Sequence, residues 1–381
     1  MWLFIFYLSI VLTALYCLLI LIYTFFFNKL VLYKAAVLLQ PKTRFSIVIP
    51  ARNEAANIEV CVLSVLQNDY PDYLFEIIVV DDFSTDDTAA IVLKLQRKFH
   101  NLKLIQLKDH IDGKQNSYKK KSIETAISFA AYEWIITTDA DCIVKPSWLQ
   151  TFDAYIQQTN PVFIAAPVKF INTGSFLSVF QCLDFISLQG ITAASVSAGI
   201  LSMCNGANLA YKKDAFYAVG GFKNIDAIAS GDDMLLMHKI KKQFPHKSAY
   251  LFSEDVIVST PPMPDWKSFI NQRIRWASKA TSYDDKRIFF VLLLVYFVNL
   301  LLLVLPFLSI FYAPIFFLWL ILLLSKIFFE TIFMRQATAF FGEQKLMWWF
   351  PVMQLFHIVY TVVSGWLGKF GTYEWKGRNV K

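Results

Sequence analysis

Long apolar runs occupy both ends of the chain, and the first of them is uncharged. Residues 1–28 contain no acidic or basic side chain, and a helix of that length can cross a bilayer core about 30 Å thick. A cleaved signal peptide fits less well, because a basic start and a small-residue cleavage site are missing. Basic residues follow at Lys29, Lys34, Lys42 and Arg44. The positive-inside rule therefore predicts an N-terminal transmembrane helix with the next segment in the cytoplasm.

The second apolar block begins after Arg287. Residues 288–325 are uncharged and too many for one crossing, so we predict two helices joined near Pro306 or Pro314. A further candidate spans residues 346–367, and the stretch before it mixes charged and aromatic residues in a way that suits a membrane interface. Segment length favours three crossings here. Three crossings here would place the basic tail outside the cell. That violates the positive-inside rule, unless one candidate helix lies along the membrane interface.

Between these blocks, apolar residues follow strand-like and helical periods in turn. Residues 29–287 are enough for one sizeable domain. Short β-branched runs alternate with amphipathic helical patterns, which predicts a parallel sheet covered by helices, an α/β fold. The predicted strands are residues 45–50, 76–80, 102–107 and 134–138, and the predicted helices are residues 55–66, 86–95, 117–131 and 234–242.

Polar and acidic residues follow three of these strands at the point where each ends. Residues 50–54 follow the first, Asp81 and Asp82 the second, and Asp139 and Asp141 the fourth. Ligands bind at the carboxyl ends of the strands in such sheets. An isolated Asp-x-Asp is more often a helix cap or a solvated turn, but three clusters at one edge favour a binding site. Paired carboxylates there can hold Mg²⁺ or Mn²⁺ against a diphosphate.

The composition narrows the class of protein. Of 381 residues, 56% are hydrophobic and 36 are Phe, which is too apolar for an ordinary soluble protein. The formal net charge is +7 and its basic clusters lie beside apolar segments, so we expect contacts with anionic lipid and none with nucleic acid. The five cysteines show no paired spacing, so we expect free thiols and no zinc site.

The order of its motifs makes the chain resemble glycosyltransferase family 2, whose members include membrane-bound enzymes with a GT-A fold. The matching motifs are residues 46–54, 79–86, 139–141, 205–208, 220–222, 231–233 and 272–276. The resemblance implies a GT-A, Rossmann-like domain plus α-helical transmembrane segments, and transfer of a sugar from a nucleotide diphosphate with inversion. The expected segments are an N-terminal transmembrane helix (1–28), a cytoplasmic GT-A domain (29–287) with an interfacial helix near 266–280, C-terminal transmembrane or interfacial helices (288–367) and a basic tail (368–381).

By this resemblance, one group of residues surrounds the sugar donor. Asp139 should lie by the ribose and metal, and Asp141 should ligate a Mg²⁺ or Mn²⁺ ion on the diphosphate. Such a cation neutralises the charge that builds on the leaving nucleotide diphosphate. Without the resemblance, the lysine run 119–121 is equally compatible with a solvated helix face. The implied donor-binding residues are Pro50, Arg52, Glu54, Asp82 and Lys119.

Inversion by a single displacement requires a carboxylate that takes the proton of the acceptor hydroxyl. In the family this base is the second acidic residue of the motif that Asp232 and Asp233 occupy here. The resemblance therefore implies that Asp233 is the base and that Asp232 supports it. The motif usually has Glu before Asp, so Asp232 is a departure. From the residues alone, either aspartate is also suited to cap the helix that follows.

The resemblance also implies an acceptor side. Gln272, Arg275 and Trp276 are spaced i, i+3, i+4 and share one helix face, and in the family this motif closes over the acceptor. A membrane-surface helix with no catalytic part is the alternative. Residues 176–203 are apolar but contain Ser, Thr and Gln, which fits a buried core helix or a lipid-facing wall of an acceptor channel. The implied acceptor-binding residues are Asn208, Gly221, Gln272, Arg275 and Trp276.

The leading prediction is a multi-pass enzyme of the cell membrane that transfers a sugar to a membrane lipid or polyprenyl-linked acceptor at the cytoplasmic face. A processive polysaccharide synthase, with a growing saccharide as acceptor, is the alternative. Cellulose and hyaluronan synthases share the Gln-x-x-Arg-Trp signature but generally carry more membrane helices. A metal-dependent nucleotidyltransferase also uses paired carboxylates but would lack that signature. Acidic residues at three strand ends argue against a non-enzymatic membrane scaffold.

Overall fold

The structure is a computed structural model that describes residues 2–35, 39–111, 115–200, 203–226, 231–278, 286–370, 373–375 and 378–380. Its contacts divide the chain into two compact units. The helical unit consists of Met1–Leu30, Asn172–Ile200 and Pro262–Lys381, and the α/β unit consists of Val31–Ile171 and Leu201–Pro261.

Helices and strands alternate through the first half of the chain, and long helices dominate its end. The strands are β1 (Phe45–Ala51), β2 (Phe75–Asp81), β3 (Leu102–Gln106), β4 (Trp134–Thr137), β5 (Phe163–Ala165), β6 (Val168–Phe170), β7 (Leu209–Lys212), β8 (Ser248–Tyr250), β9 (Val258–Thr260), β10 (Tyr373–Trp375) and β11 (Arg378–Val380). The helices are α1 (Trp2–Asn28), α2 (Ile58–Leu66), α3 (Thr88–Gln96), α4 (Tyr118–Phe129), α5 (Trp148–Thr159), α6 (Phe176–Ser197), α7 (Lys213–Ala218), α8 (Met234–Gln243), α9 (Trp266–Ala277), α10 (Lys286–Leu308), α11 (Pro314–Phe340) and α12 (Phe350–Phe370).

The α/β unit is built on a sheet with the strand order β3-β2-β1-β4-β7-β5-β8. β1 pairs in parallel with β2 and β4, and β2 pairs in parallel with β3. Ile47, Ile77 and Ile136, one from each of the three central strands, are fully buried. Strands covered on both faces require continuous apolar runs, which is why the sequence pattern located them within one or two residues.

The parallel pairing predicted for the first four strands is confirmed, but the second half of the sheet, for which no strand was predicted, is mixed. β7 runs antiparallel to both β4 and β5, whereas β5 and β8 are parallel. β6 and β9 form a separate parallel pair. These later strands have only three or four residues each, so their periodicity is too short to be distinguished from that of loops or helices.

The helical unit contains most of the apolar surface. In the described part of the chain, five helices are long and apolar enough to cross a membrane: α1, α6, α10, α11 and α12. α6 differs from the others because most of its residues are buried, and it packs on α1 and α11. This arrangement agrees with the buried-helix interpretation of residues 176–203. Ser175 begins α6 by accepting a hydrogen bond from the backbone N–H of Ser178 (3.1 Å), a standard N-cap.

The apolar block after Arg287 contains two helices, as predicted. α10 ends at Leu308 and α11 begins at Pro314. Pro306 lies inside the last turn of α10. Pro314 occupies the first turn of α11, where its missing N–H leaves no helical hydrogen bond unmade. α12 then covers the third predicted segment.

The stretch that the sequence predicts at a membrane interface, residues 326–345, begins inside α11. Those residues continue α11 without interruption as far as Phe340. Lys326 is fully buried and forms an ion pair with Glu330 one turn later, at 2.8 Å between Nζ and Oε1. The charges therefore face other helices, as ionisable groups in apolar helices generally do.

The boundaries predicted from the sequence for the α/β domain, residues 29–287, stay a prediction. The contacts place α6 and α9 with the long helices, although both lie within residues 29–287. α9 begins at the Asp265 cap, whose Oδ1 accepts the Ser268 N–H at 2.8 Å. The basic side chains of the predicted tail lie outside the described residues.

Candidate active site

The loops that follow β1 and β2 are joined by hydrogen bonds. Nη1 of Arg52 donates to the carbonyl oxygens of Asp82 (2.8 Å) and Phe83 (3.2 Å). Oδ1 of Asn53 accepts the Thr85 N–H at 2.8 Å. Asn53 has a φ of 51°, a left-handed conformation that asparagine tolerates better than most residues. Arg52 and Asp82, both predicted to bind the donor, are thus held together.

A second set of bonds fixes the end of the first loop. The Glu54 N–H donates to Oγ1 of Thr88 (2.8 Å), and the Ala55 N–H donates to Oδ2 of Asp86 (3.0 Å). Burial opposes ionisation of Asp86, but hydrogen bonds from Thr88 and Ala55 outweigh it and lower its pKa. Pro50 lies in β1 opposite Val80. The predicted donor residues of β1 and its loop therefore share one sheet edge with Asp82.

Lys119 connects two of the predicted acidic residues. Its Nζ lies 2.7 Å from Oδ1 of Asp139 and 3.2 Å from Oδ2 of Asp232. Burial by itself lowers the pKa of Lys119, but the negative charges of Asp139, Asp232 and Asp233 outweigh it and raise the pKa above the ordinary value. The side chain therefore stays charged at neutral pH. The structure brings together the segment after β4, the start of α4 and the segment before α8.

Asp233 is anchored by two backbone groups. Its Oδ1 accepts the Met234 N–H at 2.7 Å, and its Oδ2 accepts the Gly206 N–H at 3.1 Å. Asp233 thus caps α8, as the alternative interpretation proposed, and also contacts a second motif. Such bonds stabilise the carboxylate anion and fix its orientation.

Gly206 is a site residue that sequence reasoning did not single out. A Cβ atom there would lie 3.1 Å from Oδ2 of Asp232 and 3.5 Å from Nζ of Lys119. Its carbonyl accepts a hydrogen bond from Oγ1 of Thr137 in β4 at 2.9 Å. Only glycine leaves room for the backbone to approach these charged groups so closely. The signal was present in the 205–208 motif, but the prediction chose Asn208.

The acceptor role predicted for Asn208 is corrected by its surroundings. Asn208 is fully buried, and its Nδ2 donates to the carbonyls of Pro167 and Val256, each at 2.8 Å. Its Oδ1 accepts from the Trp148 indole at 3.1 Å. A side chain committed to these partners supports the segment that carries Gly206 and is not exposed to an acceptor.

Gly221 also has a packing explanation. Its φ is 51°, and a Cβ atom there would lie 2.9 Å from the ring of Phe216. Its carbonyl accepts a hydrogen bond from Nζ of Lys239 on α8 at 2.6 Å. Close packing and a left-handed φ both require glycine at this position. A role in acceptor binding stays a prediction.

The carboxylates after β4 fit a hard divalent cation. In the described part of the chain, no three His, Cys, Asp or Glu side chains converge as a complete protein metal site. Mg²⁺ and Mn²⁺ need only one or two carboxylates when substrate phosphates supply other oxygens, and Asp139 and Asp141 meet that requirement. Cys61 and Cys142 lie beside them. Burial, with the Asp141 charge adding, raises the pKa of both thiols, so they remain neutral and do not offer a thiolate to zinc.

Gln272, Arg275 and Trp276 lie on α9 in the helical unit. Oε1 of Gln272 accepts a hydrogen bond from Nη1 of Arg273 at 2.7 Å. The Trp276 ring lies 5.8 Å from the ring of Phe185 on α6. The three predicted acceptor residues of α9 therefore belong to a packed helical surface, and the remaining site residues belong to the α/β unit.

Family models match almost the whole of this architecture. The model for Glycosyl transferase family 2 matches residues 46–220, and that for Glycosyl transferase family group 2 matches residues 134–367. A GT-A α/β unit with these motifs defines a glycosyltransferase. The chain belongs to glycosyl transferase family group 2. The family resemblance, fold class and enzyme class predicted from sequence are confirmed, and the nucleotidyltransferase and scaffold alternatives are excluded.

Curated relatives match a large part of the chain at low identity. Glycosyltransferase AglE of Haloferax volcanii is 26% identical over 219 residues, which cover 58% of this chain and 67% of the relative. A poly-β-1,6-N-acetyl-D-glucosamine synthase of Staphylococcus epidermidis is 27% identical over 274 residues, which cover 67% of this chain and 60% of that protein. The chain thus spans about two thirds or less of the length of these relatives.

A solved structure shows the same fold. Mannosyltransferase PcManGT from Pyrobaculum calidifontis, solved with GDP-Man and Mn²⁺, superposes with a TM-score of 0.56 at 18% identity. The alignment covers 95% of this chain and 99% of that protein. The match extends over both the α/β unit and the long helices, which supports the GT-A fold with apolar helices.

Proposed function

We propose that the protein is an inverting glycosyltransferase that moves a sugar from a nucleotide-diphosphate sugar to a membrane lipid or polyprenyl-linked acceptor. The main support is the connected set of charged groups in the α/β unit. Lys119 bridges Asp139 and Asp232, and Asp233 follows directly. Such an arrangement can stabilise a departing diphosphate and receive the proton of a hydroxyl.

The donor binds along the edge formed by the first two loops. Pro50, Arg52 and Glu54 face the base and ribose together with Asp82. The hydrogen bonds from Arg52 to the second loop hold both loops in one conformation, so little ordering is needed when the nucleotide binds. Lys119 supplies a positive charge for the diphosphate.

A divalent cation belongs beside the same diphosphate. Asp139 and Asp141 would hold Mg²⁺ or Mn²⁺, which when bound neutralises charge on the leaving nucleotide. The Mn²⁺ and GDP-Man in the solved mannosyltransferase support this choice.

Asp233 acts as the general base. It accepts the proton of the acceptor hydroxyl while that oxygen forms a bond to the anomeric carbon. The bond from that carbon to the diphosphate oxygen breaks, and its electron pair leaves with the nucleotide diphosphate. Attack from the opposite face inverts the anomeric centre. The two backbone N–H bonds to Asp233 hold it in a single orientation.

The long apolar helices support a membrane acceptor. Five helices of the described chain are long and apolar enough to cross a bilayer. Trp266, at the start of α9, is 41% exposed, and exposed tryptophan suits a membrane interface. We propose that the N-terminus is outside, that α1, α10, α11 and α12 cross the cell membrane, and that the α/β unit is cytoplasmic.

A processive polysaccharide synthase is the second candidate. The similarity to a poly-β-1,6-N-acetyl-D-glucosamine synthase favours it. Both candidates require the same donor and base, and they differ in whether the product stays in the acceptor site for another transfer.

The distinguishing experiment follows the label of the donor. Membranes that contain the protein are incubated with radiolabelled nucleotide sugars and Mn²⁺, and Asp233→Asn membranes serve as the control. Label that enters the organic phase only with the native protein supports a lipid acceptor. Label found only in long water-soluble polymer would reject the lipid acceptor and support the synthase.

A further inference from the structure

Arg273, which directly follows Gln272 in the 272–276 motif, is a buried arginine with a carboxylate partner. Arg273 on α9 is 4% exposed. Its Nε and Nη2 both donate to Oδ2 of Asp184 on α6, at 3.0 and 2.6 Å. Oδ1 of Asp184 accepts a hydrogen bond from the Tyr360 hydroxyl on α12. One carboxylate therefore connects three helices of the helical unit.

The same guanidinium contacts two of the predicted acceptor residues. Nη1 of Arg273 donates to Oε1 of Gln272 at 2.7 Å. Its Cζ lies 4.3 Å from the centroid of the Trp276 ring and 4.6 Å from that of Phe269, distances typical of cation–π contacts. The position of Arg273 thus determines how Gln272 and Trp276 are oriented.

Stability alone does not explain this cluster. Removing a charged pair from water is costly, and well-packed apolar side chains often replace a buried ion pair with no loss of stability. What an apolar replacement cannot do is donate to Gln272 or hold the Trp276 ring by its charge. The arginine is therefore suited to fixing the orientation of its neighbours.

We propose that Arg273, held by Asp184 and Tyr360, is a positioning residue that orients Gln272 and Trp276 for transfer to the acceptor. This inference rests on the proposed function and on the acceptor role that the family resemblance implies for Gln272 and Trp276 of α9. The donor and base residues belong to the α/β unit, so loss of the cluster impairs transfer to the acceptor and leaves hydrolysis of the donor by water nearly unchanged.

The chain supplies a matched control in a second buried cluster of the same unit. Lys326 pairs with Glu330 on α11 and donates to Oε1 of Gln354 on α12. Tyr16 on α1 donates to Glu330. Among the described residues, the hydrogen bonds and ion pairs of this cluster join α1, α11 and α12 and do not involve α9. The cluster consists of Tyr16, Lys326, Glu330 and Gln354. Lys326→Gln therefore perturbs the helical unit without touching Gln272 or Trp276.

The test compares transfer with donor hydrolysis in purified variants, with thermal unfolding measured in parallel. Arg273→Lys keeps the charge but loses the forked geometry, and Tyr360→Phe removes only one hydroxyl. We expect Arg273→Lys to lower the ratio of transfer to hydrolysis by roughly ten- to a hundredfold, as misplacement of acceptor groups does. Tyr360→Phe should lower it less, and Trp276→Ala should reproduce the Arg273→Lys effect.

The outcomes separate this inference from the proposed function. The native protein is assayed first. Label that appears only in water-soluble polymer would reject the lipid acceptor, but the ratio of transfer to hydrolysis could still be measured with the polymer as the product. An unchanged ratio in both Arg273→Lys and Tyr360→Phe would overturn the positioning role. A fall in the ratio for Lys326→Gln as large as that for Arg273→Lys would also overturn it, because the effect would then be a general loss of helix packing.

Discussion

Nζ of Lys119 lies 2.7 Å from Oδ1 of Asp139, although the two residues are 20 positions apart in the chain. The pair places a permanent positive charge beside one of the two carboxylates proposed to hold a cation. A bound diphosphate adds negative charge to this site, and a divalent cation adds positive charge. Lys119 is positioned to offset the negative charge of the diphosphate. The contact also extends to Asp232, so the donor side and the segment of the base are electrostatically coupled.

The proposed base is tested by Asp233→Asn. The amide cannot accept the acceptor proton, so we expect turnover to fall roughly a hundredfold or more. Donor binding should be nearly unchanged, because the proposed donor residues lie on other loops. Steady-state kinetics and nucleotide binding measure the two effects. Loss of donor binding with survival of turnover per bound donor would mean that Asp233 only caps α8.

The proposed cation site is tested by Asp141→Asn. Loss of an outer-shell partner alone weakens metal sites roughly 10- to 100-fold, and removing a charged ligand should cost at least as much. We expect Mn²⁺-dependent binding of nucleoside diphosphate to disappear in calorimetry. Asp109→Asn, which changes an exposed aspartate, is the control. Equal Mn²⁺-dependent affinity in Asp141→Asn and native protein would reject the metal assignment.

The close approach of Gly206 predicts a strong effect of a single methyl group. In Gly206→Ala the new Cβ lies 3.1 Å from Oδ2 of Asp232 and 3.5 Å from Cβ of Asp233, so these neighbours must move by a few tenths of an ångström. Because small misplacements of catalytic groups lower the rate, we expect turnover to fall with little loss of thermal stability.

A second substitution checks the same segment without adding bulk. Thr137→Val removes the hydrogen bond to the Gly206 carbonyl, and Thr137→Ser retains it. We expect reduced turnover in the valine variant and near-native turnover in the serine variant. Equal turnover in the two variants would show that this bond does not position Gly206.

The raised pKa of Lys119 predicts a pH dependence of stability. A folded-state pKa above the ordinary value of 10.5 stabilises the folded protein at every pH below that value and less as pH rises beyond it. Thermal unfolding of native protein and Lys119→Met should therefore differ by a constant amount from neutral pH to about pH 10. The difference should shrink at higher pH. A difference that already shrinks between pH 7 and 9 would contradict the raised pKa.

The proposed membrane topology is tested at the end of the chain. Four crossings from an external N-terminus put position 380 outside the cell. A cysteine introduced as Val380→Cys should react with a membrane-impermeant thiol reagent in intact cells, with the native protein as background for its five cysteines. Protection in intact cells and reaction after permeabilisation would place the tail in the cytoplasm.

Local pattern was enough to locate most of the elements that build the candidate site. Continuous apolar runs identified β1, β2 and β4 because a parallel strand buried on both faces is largely apolar. Helix starts such as that of α8 after Asp233 follow from capping chemistry between near neighbours. The strand ends then predicted Asp82, Asp139 and Asp141 at one edge of the sheet, and the family resemblance added Asp232 and Asp233 to the site.

The sequence by itself therefore determined the family and the fold class, and it predicted the acidic residues of the proposed site. Only the tertiary structure decided that β7 is antiparallel, that Gly206 contacts Asp233 and that Asn208 is a buried support. It alone showed that Asp184 and Tyr360, 176 positions apart, meet beside Arg273, and that Lys326 faces inward. Periodicity and capping act between neighbours in the chain, whereas strand pairing and the burial of charge depend on residues that become neighbours only when the chain folds.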